Sequence, residues 1–196
     1  MGAGGGAMAW DMGEGGVVNG VPAKLADGWG NQRQDGAMES SAVLSPCRLY
    51  RYELWRRWDG SRGVVMIIGL NPSTADEAHD DPTVRRCITY ARDWGYGGLC
   101  LTNMFALRAT HPAALKTATD PIGSDNDLHL RTAARLADLR VAAWGVNGAH
   151  RGRATAVLSS LCSLHCLRLS RNGHPMHPLY LPRGLRPEPW RASFFR

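Results

Sequence analysis

The 196-residue chain has almost no lysine: Lys24 and Lys116 stand against 21 arginines. It has no apolar run near the roughly 20 residues that cross a bilayer, which excludes a membrane-spanning helix. Its N-terminus carries glycines where a secretory signal would place positive charge and then an apolar stretch, so a cytoplasmic protein is expected. No Gly-x-x-x-x-Gly-Lys loop occurs and no Gly-x-Gly-x-x-Gly follows an apolar run, which disfavours a nucleotide cofactor. No Gly-x-Ser-x-Gly elbow occurs, which disfavours a serine hydrolase. The five cysteines, an odd count without a signal peptide, read as reduced thiols. Cys162 and Cys166 have an acceptable spacing for two metal ligands. No second pair accompanies them, so they read as core thiols, and neither metal nor cofactor is expected.

What is present is positive charge, unevenly spread. The chain carries +6 with a pI near 9.4. Residues 1–36 hold two basic and four acidic side chains, a net of −2, which leaves +8 on residues 37–196. Eleven of the 23 glycines fall in that first stretch, which also lacks clear hydrophobic periodicity. Residues 1–41 therefore read as a disordered glycine-rich leader, and residues 42–196 as one basic domain with a basic C-terminal tail. A basic domain suits a polyanionic partner, because arginine forks grip phosphate oxygens two at a time. Codon bias toward arginine would give the same composition.

Residues 49–58 are aromatic-rich and roughly alternating, the pattern of a half-buried strand. Residues 64–70 are continuously apolar, the mark of a strand covered on both faces, and stop at Asn71-Pro72-Ser73-Thr74. Asp81-Pro82 opens a helix whose apolar positions Val84, Cys87, Ile88 and Ala91 recur at helical spacing before Gly95. A second short strand over 98–102 stops at Asn103. Helices follow over 113–117 and 124–138, a strand over 140–144, a helix over 149–162 and a strand over 164–169. Strands alternating with helices predict an α/β domain with a mainly parallel sheet, whose working residues gather at the carboxyl ends of the strands. Those ends carry Asn71, Asn103, Gly145 and the segment with His174 and His177.

The strand-end residues are amides, hydroxyls and imidazoles, with Asp76, Asp80 and Asp81 near in sequence. An asparagine can orient a water, and a histidine can stabilise a departing anion. Hydrolysis of an N-glycosidic bond needs both, since its sugar becomes oxocarbenium-like while an anionic base leaves.

Gly69–Asp76 (GLNPSTAD), Asp80–Arg86 (DDPTVRR), Trp94–Gly97 (WGYG), Thr102–Thr110 (TNMFALRAT) and His177–Leu181 (HPLYL) occur in that order. Over about residues 50–181 they resemble a bacterial and phage domain-of-unknown-function family with an LNPSTAD signature. More distantly, they resemble the uracil-DNA glycosylase superfamily. That resemblance implies a three-layer α/β/α sandwich around a mainly parallel four-stranded sheet, acting as a monomer on DNA. It also implies roles. Gly69-Leu70-Asn71-Pro72 matches the water-activating motif, with Asn71 in the water-positioning place. Asn103 matches the asparagine that reads a flipped base. His177-Pro178-Leu179 matches, in part, the motif whose histidine stabilises the leaving base, with Leu179 in place of serine; His174-Pro175 competes for that role.

Ser73 stands where uracil-excising members carry a bulky tyrosine, which implies room for 5-substituted bases such as hydroxymethylated or glucosylated cytosine in phage DNA. An antiviral glycosylase would fit. The iron–sulfur cysteine spacing of some branches is absent. The base would be held by Asn103 and Ser73, with Phe105 either stacking on it or serving as core. Phosphates would meet Arg85, Arg86, Arg108 and Arg183, although Arg85 and Arg86 fit a solvated helix face equally well. Leu179 or Tyr180 would fill the gap left by the base. Asp81 fits helix capping, and Asp76 is a further catalytic candidate. Two other readings remain: a glycosylase or transferase acting on free nucleosides or nucleotides, and a non-catalytic nucleic-acid-binding module.

Overall fold

A computed structural model describes residues 38–191, together with two short strands, β1 (Val17–Val18) and β2 (Val21–Pro22), that pair antiparallel. The rest of the expected leader up to residue 37 lies outside the described residues, as do residues 192–196 of the tail. The chain divides into two units at Gln32/Arg33, and every element below belongs to the second.

That unit is a mixed α/β domain. Its strands are β3 (Glu39–Leu44), β4 (Arg51–Arg57), β5 (Val64–Gly69), β6 (Gly98–Asn103), β7 (Leu139–Ala142), β8 (His165–Cys166) and β9 (Glu188–Pro189). They form one sheet in the order β3-β4-β6-β5-β7-β8-β9. The expected sheet had four strands; the observed one has seven. Strands β6, β5, β7 and β8 run parallel, as alternation with helices requires. The additions are antiparallel: β3 and β4 on one side, β9 on the other. β3 escapes a pattern search because Glu39, Ser40 and Ser41 carry no apolar alternation. It begins ahead of the boundary expected at residue 42.

β5 is buried along its whole length, with Val65, Met66, Ile67 and Ile68 at most 1% exposed. Each such side chain contributes about 1.5–3 kcal/mol by leaving water. Helix α1 (Pro82–Asp93) lays Val84, Cys87, Tyr90 and Ala91 over Leu54, Val65, Ile67, Leu99 and Leu101. The side chains between these strand positions face the other way, toward α3 (Asn126–Leu136), which packs on β4, β5 and β6. Helices therefore cover both faces of the sheet. Helix α2 (Ala113–Thr117) is a single short turn, and α4 (Arg153–Ser160) follows a 3-10 segment, Val146–Gly152, where one longer helix over 149–162 was expected. Arg151 inside that segment takes a left-handed φ of 53°, which breaks the helix.

β4 departs most from its sequence pattern. It is buried on both faces rather than one, although it contains Arg51, Glu53 and Arg56. Its register explains how. Val43 pairs with Glu53, but Leu44 pairs with Arg51, so Tyr52 is the extra residue of a β-bulge. The bulge turns Arg51 to the side of Arg56. Glu53 instead accepts from Trp55 Nε1 and pairs with His129 of α3, at 2.6 Å in each case. Cys87, Cys100 and Cys166 are buried, and burial pushes the Cys87 thiol up to about 12. Cys162 is exposed, so it is not the core thiol its position suggested.

Candidate active site

The parallel strands deliver Asn71 and Asn103 to the same end of the sheet. Gly69 pairs with Asn103 in the β5–β6 register. A Cβ at Gly69 would stand 2.8 Å from the Asn103 side-chain amide, so only glycine leaves room for it. The Asn103 amide faces the backbone oxygens of Asn71 and Thr102, each at 3.3 Å, and donates to both when it is oriented with its nitrogen toward them. Asn71 spends both amide hydrogens on its own surroundings: Nδ2 donates to Pro72 O at 2.9 Å and to Ala109 O at 2.7 Å. Its Oδ1 keeps its acceptor capacity. The Ala109 N–H donates to Pro72 O at 2.8 Å, so the loop after β5 and the loop after β6 are stitched to each other.

The loop after β5 is held from below by two buried guanidiniums. Arg51 Nη1 donates to Ala75 O at 2.7 Å. Arg56 Nη2 donates to Asp76 O at 2.6 Å, and its Nε donates to Asp80 Oδ1 at 2.9 Å. Both arginines are 1% exposed. Burial pushes the Arg51 guanidinium down to about 10, opposed chiefly by Asp81, and its Nε has no hydrogen-bond partner among the described residues. Sequence reasoning missed both residues, because charge on an alternating strand reads as a solvent face. The bulge that brings them together has no signature in the chain.

Asp76 is occupied within the loop. Its Oδ1 accepts from the N–H groups of Ala78 and His79 at 2.9 Å each and lies 3.2 Å from His79 Nδ1. The two backbone donors hold its carboxyl down at about 2. It is thus a permanent anion that shapes the loop. Asp81 caps α1, accepting from the Val84 N–H at 2.9 Å.

His177 opens a 3-10 turn, Pro178–Tyr180, that packs against α1. Its Nδ1 accepts from the Leu179 N–H at 3.3 Å, which leaves the hydrogen of the neutral ring on Nε2. Burial lowers its pKa below the usual 6.5, while the Asp81 charge pulls the other way. The Tyr180 ring tilts against the His177 ring at 5.6 Å and is 79% exposed, whereas Leu179 is half-buried. His174, three residues earlier, sits in a turn where its N–H donates to Ser170 Oγ at 3.2 Å.

Ser73 and Thr74 form one wall of an open groove of about 550 Å³, and residues 108–111 form the other. Phe105 does not reach it: the ring is fully buried and packs on His150 at 5.8 Å. Arg85 and Arg86 sit on α1, Arg85 exposed with its Nη1 on Asp80 O, and Arg183 is exposed beyond the 3-10 turn. The structure thus joins Asn71, Asn103 and the groove with Ser73 and Arg108, and places His177, Tyr180 and Leu179 together beside α1.

Residues 51–179 match DUF1643, a protein family of unknown function, and the chain belongs to that family. No curated protein and no solved structure matches it. No helix among the described residues is long and apolar enough to cross a membrane.

Proposed function

We propose that the chain is a monofunctional DNA glycosylase that hydrolyses the N-glycosidic bond of a flipped, modified base and leaves an abasic site. The observation that carries this reading is the Asn71–Asn103 pair at the ends of two adjacent parallel strands, with the Asn71 amide hydrogens already engaged. A water that donates to Asn71 Oδ1 is oriented without an ionised base, which suits attack on a sugar carbon that is already cationic in character. The water oxygen bonds to C1′ and the C1′–N bond breaks, its electron pair going to the base. The proton shed by the water ends on that base or in solvent.

Neutral His177 offers its Nε2–H to the departing anion, and Asn103 holds the base edge. Tyr180, exposed beside His177, fills the gap in the stack. Flipping costs a few kcal/mol, least at unpaired or damaged positions. The small Ser73 leaves space for a bulky 5-substituent, so glucosylated or hydroxymethylated cytosine of phage DNA is the proposed target, in an antiviral role. The protein works without metal or organic cofactor, as a cytoplasmic monomer.

A panel of DNAs carrying uracil, hydroxymethylcytosine, glucosylated cytosine or unmodified bases, scored for alkali-labile sites, tests this. Cleavage at a 5-substituted cytosine is expected. No cleavage of any DNA would favour action on free nucleosides or nucleotides, or a non-catalytic binding module.

A further inference from the structure

The groove beside Asn71 suggests what else the substrate carries. Its lining residues include Ser73, Thr74, Thr110, Arg108 and His111, and no carboxylate-bearing residue. Arg108 has no carboxylate partner among the described residues; its one side-chain hydrogen bond is a long one, 3.4 Å to Arg48 O. A guanidinium beside an open groove, with no carboxylate partner among the described residues, favours an anionic ligand. The groove is next to the proposed water site: the Asn71 amide donates to the oxygen of Ala109, a groove residue, at 2.7 Å.

We infer that this groove is a phosphate subsite, so that the substrate is a nucleotide whose phosphate docks on Arg108 with the Ser73, Thr74 and Thr110 hydroxyls, and a bare nucleoside is rejected. This rests on the glycosidic reading of the neighbouring site. The phosphate belongs either to a free nucleotide or to a strand.

The test is an amide and arginine side-chain NMR titration of the full chain with inorganic phosphate, thymidine, thymidine 5′-monophosphate and a short oligothymidine, on wild type and Arg108→Gln. Shifts at Ser73, Thr74, Thr110 and the Arg108 Nε–H are expected with the three phosphate-bearing probes and not with thymidine. The Gln variant should weaken them at least about tenfold. A much tighter response to the oligonucleotide than to the monophosphate assigns the phosphate to a strand, and equal responses assign it to a free nucleotide. With a strand, Arg108→Gln should also flatten the log-affinity against log-salt slope by about 1. Thymidine acting like its monophosphate, or phosphate shifts unaffected by Arg108→Gln, overturns the inference. Abasic-site formation without groove shifts would overturn the subsite and spare the glycosylase. Groove shifts without activity on any DNA or nucleotide would do the reverse.

Discussion

Arg51 and Arg56 grip successive carbonyls of one loop. Arg51 donates to Ala75 O at 2.7 Å and Arg56 to Asp76 O at 2.6 Å, both from the interior. Five positions apart on a regular strand they would face opposite sides; the bulge at Tyr52 puts them on one. The loop that presents Asn71 is thereby fixed by the strand next but one in the sheet. The two arginines differ in their pairing. Arg56 meets Asp80 at 2.8 Å, with side-chain exposures of 2% and 19%, whereas Arg51 has no ion pair among the described residues. Arg56→Met should therefore cost about 3–5 kcal/mol, because Asp80 keeps a partly buried charge without its partner. Arg51→Met should cost less, since it also removes a desolvated cation. Urea midpoints at constant m-value measure both.

Gly69 and Asn103 are coupled by space. Gly69→Ala should cost about 1–3 kcal/mol, because its Cβ would enter the 2.8 Å gap before the Asn103 amide. In an Asn103→Ala background the same change should cost much less. A double-mutant cycle on unfolding free energy checks this, and additive effects would mean the two residues do not contact.

Asp76 and His177 set different pH limits. The Asp76 carboxyl is held at about 2, below its usual 3.8, so it stabilises the fold above pH ~4. That contribution fades as pH falls from the unfolded value through the folded one. Asp76→Asn should flatten the decline in unfolding midpoint across this window and leave pH 7 kinetics without an acid–base change. His177 is pushed below 6.5 by burial, so it stays neutral at pH 7 and the acid limb of the rate profile should lie below 6.5. A limb that persists unchanged in His177→Gln would move that role elsewhere.

Tyr180 is a test of the wedge. At 79% exposure its loss should change stability by no more than about 0.5 kcal/mol. Tyr180→Ala should slow excision from duplex DNA about tenfold or more, and from a single strand far less, because only the duplex needs its gap filled.

Much of this arrangement is legible in the chain because it rests on local rules. The unbroken run Val64–Ile68 announces a doubly covered strand, Asp81-Pro82 announces a capped helix, and parallel strands put Asn71 and Asn103 at one end. What escapes depends on non-local pairing. The polar strand β3 becomes a strand only through its pairing with β4, and the buried Arg51, Glu53 and Arg56 are tolerated only because loop carbonyls, His129 and Asp80 meet them. The sequence allows Phe105 either stacking or core; its backbone N–H is drawn to Leu70 O at 2.9 Å and its ring is fully buried.

The most direct test of the proposed chemistry is single-turnover abasic-site formation by Asn71→Ala beside its DNA affinity. A water-orienting Asn71 predicts a rate loss of about 10²–10⁴-fold with affinity changed no more than a few fold. Wild-type rates in Asn71→Ala would contradict the assignment.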